Sequence, residues 1–513
     1  MLALPAWAAP ASAPSAGPIA RTRSGSIRGY VERGVHVFKG VPYGADTASR
    51  RFQRARREVP WSGVRDATAP GASAPQSGGQ GMGSEDCLFL NIWTPGLRDA
   101  ARRPVLVYLH GGGYDSGSGS APLYDGVNLC RRGDVVVVTL NHRLNAFGYL
   151  YLAQHGDTAF ADSGNVGQLD LVDALHWVRA HAAEFGGDAG NVTVFGQSGG
   201  GAKIATLMAM PEAAGLFHRA WTMSGQQVTA AGPRAATQRA RLLLDALGIA
   251  PGELDRLRTL PAARIVEALQ LRDPSRAEDT RLYLGPVLDS RSLPRHPFWP
   301  DAPPQSAAIP MVIGNTRDET RAFLGRDPAH HALTWDALPA TLQAQQFVDL
   351  DPQTVVAAYR ALYPHYTPSE VFFAATTAGR SWRGAIEELE ARARQGAPTW
   401  SYQLDWGSPL EGGRLGALHT LDIALVFDNV DADGSLTGGG EDARRLAGAM
   451  SGALLAFART GVPEAVDGLP WPRYRLPRRA TMVFDDASAV VDDPRGGERL
   501  LYARVPFVQR GTQ

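Results

Sequence analysis

The sequence predicts an α/β fold, a central and mostly parallel sheet flanked by helices. Three observations carry this. Residues 105–110 and 135–140 are continuous apolar runs of strand length, rich in β-branched side chains, as expected of strands buried on both faces. An amphipathic pattern over 168–185, with Leu169, Leu171, Val172, Leu175, Trp177 and Val178 on its apolar face, precedes a further strand at 192–195. A glycine-rich turn then leads into an apolar helix at 202–210 and another strand near 220–223, the alternation of a sheet with helices packed on its faces.

The elements follow in chain order. From Arg21 the sequence runs through short β-rich pieces and then a Gly/Ala/Ser/Pro-rich loop, 69–83, expected to be exposed. The run 88–93 is a third strand beside 105–110 and 135–140, and Gly186-Gly187 stops the long helix in the usual way. A strand at 310–314 lies between two helical stretches, about 232–278 and 328–395, read as insertions beside the sheet. No repeat and no long linker divides the chain, so residues 15–513 are read as one domain. Residues 1–14 are apolar and carry Ala11-Ser12-Ala13, which resembles the tail of a secretory signal and suggests a secreted or periplasmic protein; the alternative is a frayed terminus on a cytoplasmic one.

Composition excludes several classes. At 44% hydrophobic and 20% charged residues the bulk of the chain has enough apolar surface to fold. The 51 basic and 51 acidic residues cancel, which argues against a nucleic-acid partner, and no apolar run is long enough for a membrane span. Only Lys39 and Lys203 among the basic residues are lysine, a skew that reads as coding bias. Two cysteines, Cys87 and Cys130, rule out a disulfide scaffold and a cysteine-rich metal site.

The first chemical signal is Gly196-Gln197-Ser198-Gly199-Gly200. The bare Gly-x-Ser-x-Gly pattern is weak in a chain with 57 glycines, but it stands between a strand and a helix. That is where a sharp turn exposes a nucleophilic serine, and glycines at minus two and plus two avoid collisions with neighbouring backbone. Such a serine needs backbone donors for a developing oxyanion. The run His110-Gly111-Gly112-Gly113-Tyr114, directly after a buried strand, offers them, and the residue after Ser198 offers another.

With these residues in place the chain resembles the type-B carboxylesterase/lipase family, which includes bacterial esterases and the cholinesterases. The resemblance rests on Phe38-Lys39-Gly40-Val41-Pro42-Tyr43, Ser84-Glu85-Asp86-Cys87-Leu88-Phe89-Leu90-Asn91, the triple-glycine loop and Asn141-His142-Arg143-Leu144. It continues in Phe185-Gly186-Gly187-Asp188, the serine turn, Gly314-Asn315-Thr316-Arg317-Asp318-Glu319 and Phe457-Ala458-Arg459-Thr460-Gly461, covering about residues 25–505.

The resemblance implies an α/β-hydrolase fold with helical insertions over the active site, and a triad in the order serine, acid, histidine. Glu319 follows the strand 310–314; Asp318 is its rival, and the family motif selects Glu319. His419, in Gly416-Ala417-Leu418-His419-Thr420-Leu421-Asp422, matches the histidine motif. The implied chemistry is hydrolysis of neutral short- or medium-chain or aromatic carboxylic esters through an acyl-enzyme on Ser198, with no cofactor and no metal. Amides of Gly112, Gly113 and Gly199 would bind the oxyanion, and Asp422, Gln197 and Ser224 would support the site from behind.

Several positions depart from the family pattern. Gln197 stands where glutamate is usual, removing a negative charge, and Gly199 replaces the commoner alanine while keeping its N–H. Cys87 occupies a family disulfide position, but segment 69–83 has no cysteine to pair with it; the two thiols either pair with each other or are buried and free, and the second reading is preferred. The same segment lacks the tryptophan that binds quaternary ammonium in cholinesterases, which argues against choline esters. Arg51 and Glu85 match a family ion pair. Two other functions compete: an amidase or lactonase using the same triad, and a non-catalytic cholinesterase-like binding module, which a fluorophosphonate label on Ser198 would exclude. Oligomeric state is not readable from the sequence.

Overall fold

The computed structural model describes residues 17–78, 83–155, 157–274, 281–464, 466–509 and 512, so the expectation for residues 1–14 lies outside the described residues. A small sheet is built from β1 (Ile19–Arg21), β2 (Ser26–Arg28) and β5 (Val64–Asp66). The main sheet has eleven strands. On one side are β3 (Tyr30–Glu32), β4 (Val35–Pro42), β6 (Phe89–Thr94), β7 (Arg103–Leu109) and β8 (Val136–Leu140). The others are β9 (Gly187–Gln197), β10 (Arg219–Met223), β11 (Met311–Thr316), β12 (Thr399–Leu404), β13 (Ala480–Phe484) and β14 (Ala489–Asp492). Their order is β14-β13-β12-β11-β10-β9-β7-β8-β6-β4-β3. The run from β13 to β8 is parallel. Antiparallel strands close both edges.

The continuous apolar runs become central strands because each face of the sheet is covered. On β7, Val105, Val107 and Leu109 enter one core and Leu106 and Tyr108 the other, following the period of two along a strand. β8 divides in the same way, with Val136, Val138 and Leu140 against Val137 and the preceding Val135. The first face carries the helices Val166–His181 and Gly199–Leu207. The second carries Glu441–Thr460, whose Leu446, Met450, Leu454 and Phe457 form one buried stripe. Burying each such side chain contributes roughly 1.5–3 kcal/mol, so these two faces hold the sheet. Helices also occupy the stretches beside it, among them Pro233–Ala246, Pro352–Leu362, Pro368–Thr377 and Arg383–Gln395.

Cys87 packs on the first face and Cys130 on the second, and both are buried free thiols. The sheet itself separates them. Arg51 forms the anticipated pair with Glu85, with its Nε donating to Oε2 at 2.6 Å, and both side chains are nearly buried.

Loop 69–83 is exposed over much of its described length, as expected, but Ala74, Pro75 and Gln76 are buried. Composition suggested a solvated loop, but its backbone carbonyls are used as acceptors. Asn141 Nδ2 donates to Ala72 O at 2.9 Å and Asn145 Nδ2 to Pro75 O at 2.8 Å.

Candidate active site

Ser198 stands between β9 and the helix Gly199–Leu207 with φ 55° and ψ −125°, a strained conformation for a residue with a Cβ. The strain is held by the next strand, because Ser198 N–H donates to Met223 O at 2.7 Å. The helix begins at Gly199, three residues earlier than the apolar pattern suggests, so the serine lies directly at its start.

The other groups leave the same sheet edge in register. β9, β10 and β11 are parallel neighbours, with Gln197 opposite Met223 and Met223 opposite Gly314. Ser224 follows β10, Glu319 follows β11, and His419 lies beyond β12. Consecutive strands therefore deliver their C-terminal residues to one place, as open α/β sheets do.

Glu319 is fully buried and hydrogen-bonds His419 Nδ1 through Oε2. Its Oε1 accepts from Thr316 N at 3.0 Å and Asn315 Nδ2 at 3.1 Å. Burial works to raise the Glu319 pKa, but the neighbouring imidazole and hydrogen bonds from His419, Ser224 and Asn315 outweigh it and hold the carboxyl below its ordinary range. The carboxylate acceptor places the ring proton on Nδ1 and leaves Nε2 as an acceptor. Asp318 faces elsewhere: its Oδ2 accepts from Ala417 N at 3.0 Å and so ties the acid's turn to the loop carrying His419. Phe323 covers the imidazole with ring centroids 4.9 Å apart.

Ser198, Glu319 and His419 line one cavity of about 210 Å³. Among the described residues no hydrogen bond joins Ser198 Oγ to His419; the amide nitrogen of Gln197 lies 3.1 Å from His419 Nε2 instead. Asp422 is fully buried near the imidazole but is not bonded to it. Tyr402 OH donates to Asp422 Oδ2 at 2.8 Å, and Oδ1 has no partner. Burial pushes the Asp422 carboxyl up to about 6.

The triple-glycine loop follows β7, and Gly112 and Gly113 adopt φ 83° and 60°, a conformation that glycine enters without penalty. The loop presses on the start of the serine helix: a Cβ on Gly199 would lie 2.1 Å from Gly113 O and 2.5 Å from Gly113 N. Beyond it, Gly117 N–H donates to Gln76 Oε1 at 2.7 Å and Gln76 Nε2 donates back to Gly117 O at 3.0 Å. The buried part of segment 69–83 thus braces this loop, which composition alone concealed.

Tyr114, Tyr283, Gln226, Gln227, Arg380 and Gln509 complete the cavity wall, and sequence reading singled out none of these as wall residues. They come from five separate stretches, and no local motif marks them. Arg380 stands on a π-helix, Ala378–Trp382, with its guanidinium 3.8 Å from the Phe347 ring centre.

A serine on a strand-to-helix turn, an imidazole fixed by a buried carboxylate and a glycine loop beside them define a serine hydrolase of the α/β-hydrolase fold. The chain belongs to the carboxylesterase family, whose model matches residues 16–495. It is 36% identical over 503 residues to para-nitrobenzyl esterase of Bacillus subtilis (strain 168), covering 94% of this chain and 97% of that protein. Phenmedipham hydrolase of Pseudarthrobacter oxydans is 35% identical, over 92% of this chain and 96% of that one. The crystal structure of Geobacillus stearothermophilus carboxylesterase EST55 at pH 6.2 superposes with a TM-score of 0.82 at 37% identity, covering 94% of this chain and 99% of that one. The protein is a carboxylic-ester hydrolase of the serine esterase type. No helix among the described residues is long and apolar enough to cross a membrane.

Proposed function

We propose that Ser198 is the nucleophile, His419 the general base and Glu319 the group that fixes the imidazole. The carrying observation is that Glu319 holds His419 Nδ1 while His419 and Ser198 line the same cavity. His419 Nε2 takes the hydroxyl proton as Oγ attacks the ester carbonyl, then returns it to the departing alcohol. Amides of Gly112, Gly113 and Gly199 bind the oxyanion, and water attacks the acyl-enzyme to release the acid and free Ser198. Ser198 displaces Gln197 as the donor to Nε2 when substrate binds. Ser224 and Asp422 support Glu319 and His419 through a hydrogen bond and through charge, respectively.

The substrates we propose are neutral esters with short or medium acyl chains or aromatic groups. The cavity of about 210 Å³ and the rings of Tyr114, Tyr283 and Phe323 in its wall support small or flat groups. Two bacterial relatives, para-nitrobenzyl esterase and phenmedipham hydrolase, are named for aromatic substrates, which supports the same reading.

The test is initial rates on p-nitrophenyl acetate, butyrate and octanoate, with fluorophosphonate labelling, for wild type, Ser198→Ala and Glu319→Gln. Ser198→Ala is expected to abolish labelling, and each variant to lose at least about 10⁴-fold in kcat. A folded Ser198→Ala protein that keeps its rate would overturn the assignment.

A further inference from the structure

The helix that starts at Gly199 carries one charged residue, Lys203, and it is completely buried. Among the described residues it forms no ion pair. Its ammonium makes one hydrogen bond, Nζ donating to His110 O at 3.0 Å, and sits 5.8 Å from the centre of the Tyr114 ring. Burying an ammonium without a counterion is costly, and a methionine or leucine would fill the same space without that cost. Packing therefore does not explain a lysine here. Nor does chance, since in this chain only Lys39 and Lys203 of 51 basic residues are lysine. Where arginine has replaced lysine almost everywhere, a compact ammonium kept at a buried position indicates a site that a planar guanidinium does not fit.

The partner of that hydrogen bond matters. His110 opens the triple-glycine loop, and its Nδ1 lies 2.8 Å from Gly111 O, an acceptor, so Nδ1 carries a proton. That bond polarises the peptide whose N–H belongs to Gly112. The ring stacks on His142 at 4.9 Å, and the two Nε2 atoms are buried without partners. Burial and the adjacent Lys203 charge lower the His110 pKa to about 3, which keeps the ring neutral. Burial lowers the Lys203 pKa to about 7, and the neutral amine retains N–H donors for the His110 carbonyl.

We propose that Lys203 is a positioning residue of the oxyanion hole: by bonding the His110 carbonyl it holds the Gly111–Gly113 loop against the first turn of the serine helix. The hole is shared between two elements, Gly112 and Gly113 on the loop and Gly199 on the helix, and Lys203 is a polar tie that joins them. A hole assembled this way loses its geometry when the tie is cut, although the substrate cavity remains. The inference rests on the oxyanion role proposed above for those three amides.

The experiment compares wild type, Lys203→Met and Lys203→Gln for kcat and KM on p-nitrophenyl acetate. It adds the inhibition constant of a trifluoromethyl ketone, which forms a tetrahedral adduct on the serine, and thermal unfolding of each protein. Lys203→Met is expected to lose about 10²-fold in kcat with little change in KM, and to weaken the ketone by the same factor as kcat/KM. Lys203→Gln restores an N–H donor and is expected to recover most of both. A folded Lys203→Met with wild-type kcat and ketone affinity overturns the proposal, and so does a loss in kcat with ketone affinity intact. If the methionine variant does not fold, the glutamine variant decides: kcat and ketone affinity must fall together or both remain near wild type, and a fall in kcat alone overturns the proposal. A wild type that neither turns over ester nor takes a fluorophosphonate label would instead refute the esterase site, whatever Lys203 does.

Discussion

The side-chain amide of Gln197 lies 3.1 Å from Nε2 of His419, on the nitrogen that a serine-activating imidazole must offer to Ser198. Replacing this amide by the family's usual glutamate adds a carboxylate within hydrogen-bond reach, which favours imidazolium. Gln197→Glu is therefore expected to move the acidic limb of the kcat/KM profile to higher pH by roughly one unit. A pH–rate profile of both proteins checks this, and superimposable acidic limbs would show that the residue is electrically silent.

Gly199 is expected to be intolerant of alanine, although alanine is common at this position in the resembled family. In this chain an added Cβ would lie 2.1 Å from Gly113 O, and a backbone atom in a braced loop cannot swing aside. Either the loop or the helix start must shift. Overpacking of this kind costs about 1–3 kcal/mol, and a displaced oxyanion donor costs more in rate than in stability. Gly199→Ala should lower kcat at least about 10-fold and lower the melting temperature. Wild-type kcat in the alanine variant would refute the tight contact.

Asp422 has a carboxyl pushed up to about 6, first by burial and then by the Glu319 charge, against the hydrogen bond from Tyr402. Its folded pKa lies above the unfolded value near 3.9 (roughly), so its contribution to stability is present below about pH 4 and lost as pH rises through about 6. Asp422→Asn keeps an acceptor for Tyr402 and removes the titration. The difference in unfolding free energy between variant and wild type should shift in the variant's favour by on the order of 2 kcal/mol between pH 4 and 8. Urea titrations at both pH values measure it, and a constant difference would rule the titration out.

Both cysteines should be silent in the native protein. Burial pushes both thiols far above their ordinary pKa, and they sit on opposite faces of the sheet. Ellman's reagent is expected to find no thiol before denaturation and two after it, with a melting temperature insensitive to reductant. Fewer than two thiols after denaturation without reductant would reveal a bond.

The strands were legible where both faces are buried, because Val105–Leu109 and Val136–Leu140 contain little but apolar residues. β12 was not, since its sequence TWSYQL alternates large and polar side chains although every residue is buried. The serine turn, the acid and the histidine were legible because each stands in a local motif. The wall of the cavity was not, because Tyr114, Tyr283, Arg380 and Gln509 meet only after the chain has folded. Lys203 is marked in the sequence only as a single charge in an otherwise apolar helix, which does not by itself reveal what its ammonium touches.

The division of the cavity between sheet edge and wandering wall sets how this enzyme adapts. Ser198 and Glu319 follow strands locked into two cores and His419 is tied to them through Glu319, whereas the wall residues arrive on five separate stretches of chain. Selection for a new ester therefore has several separate dials, of which Tyr283 and Gln509 lie off the glycine loop and the Glu319 hydrogen bonds. A library randomised at Tyr283 and Gln509 would sample substrate range, and because both line one cavity their combined effects should depart from additivity.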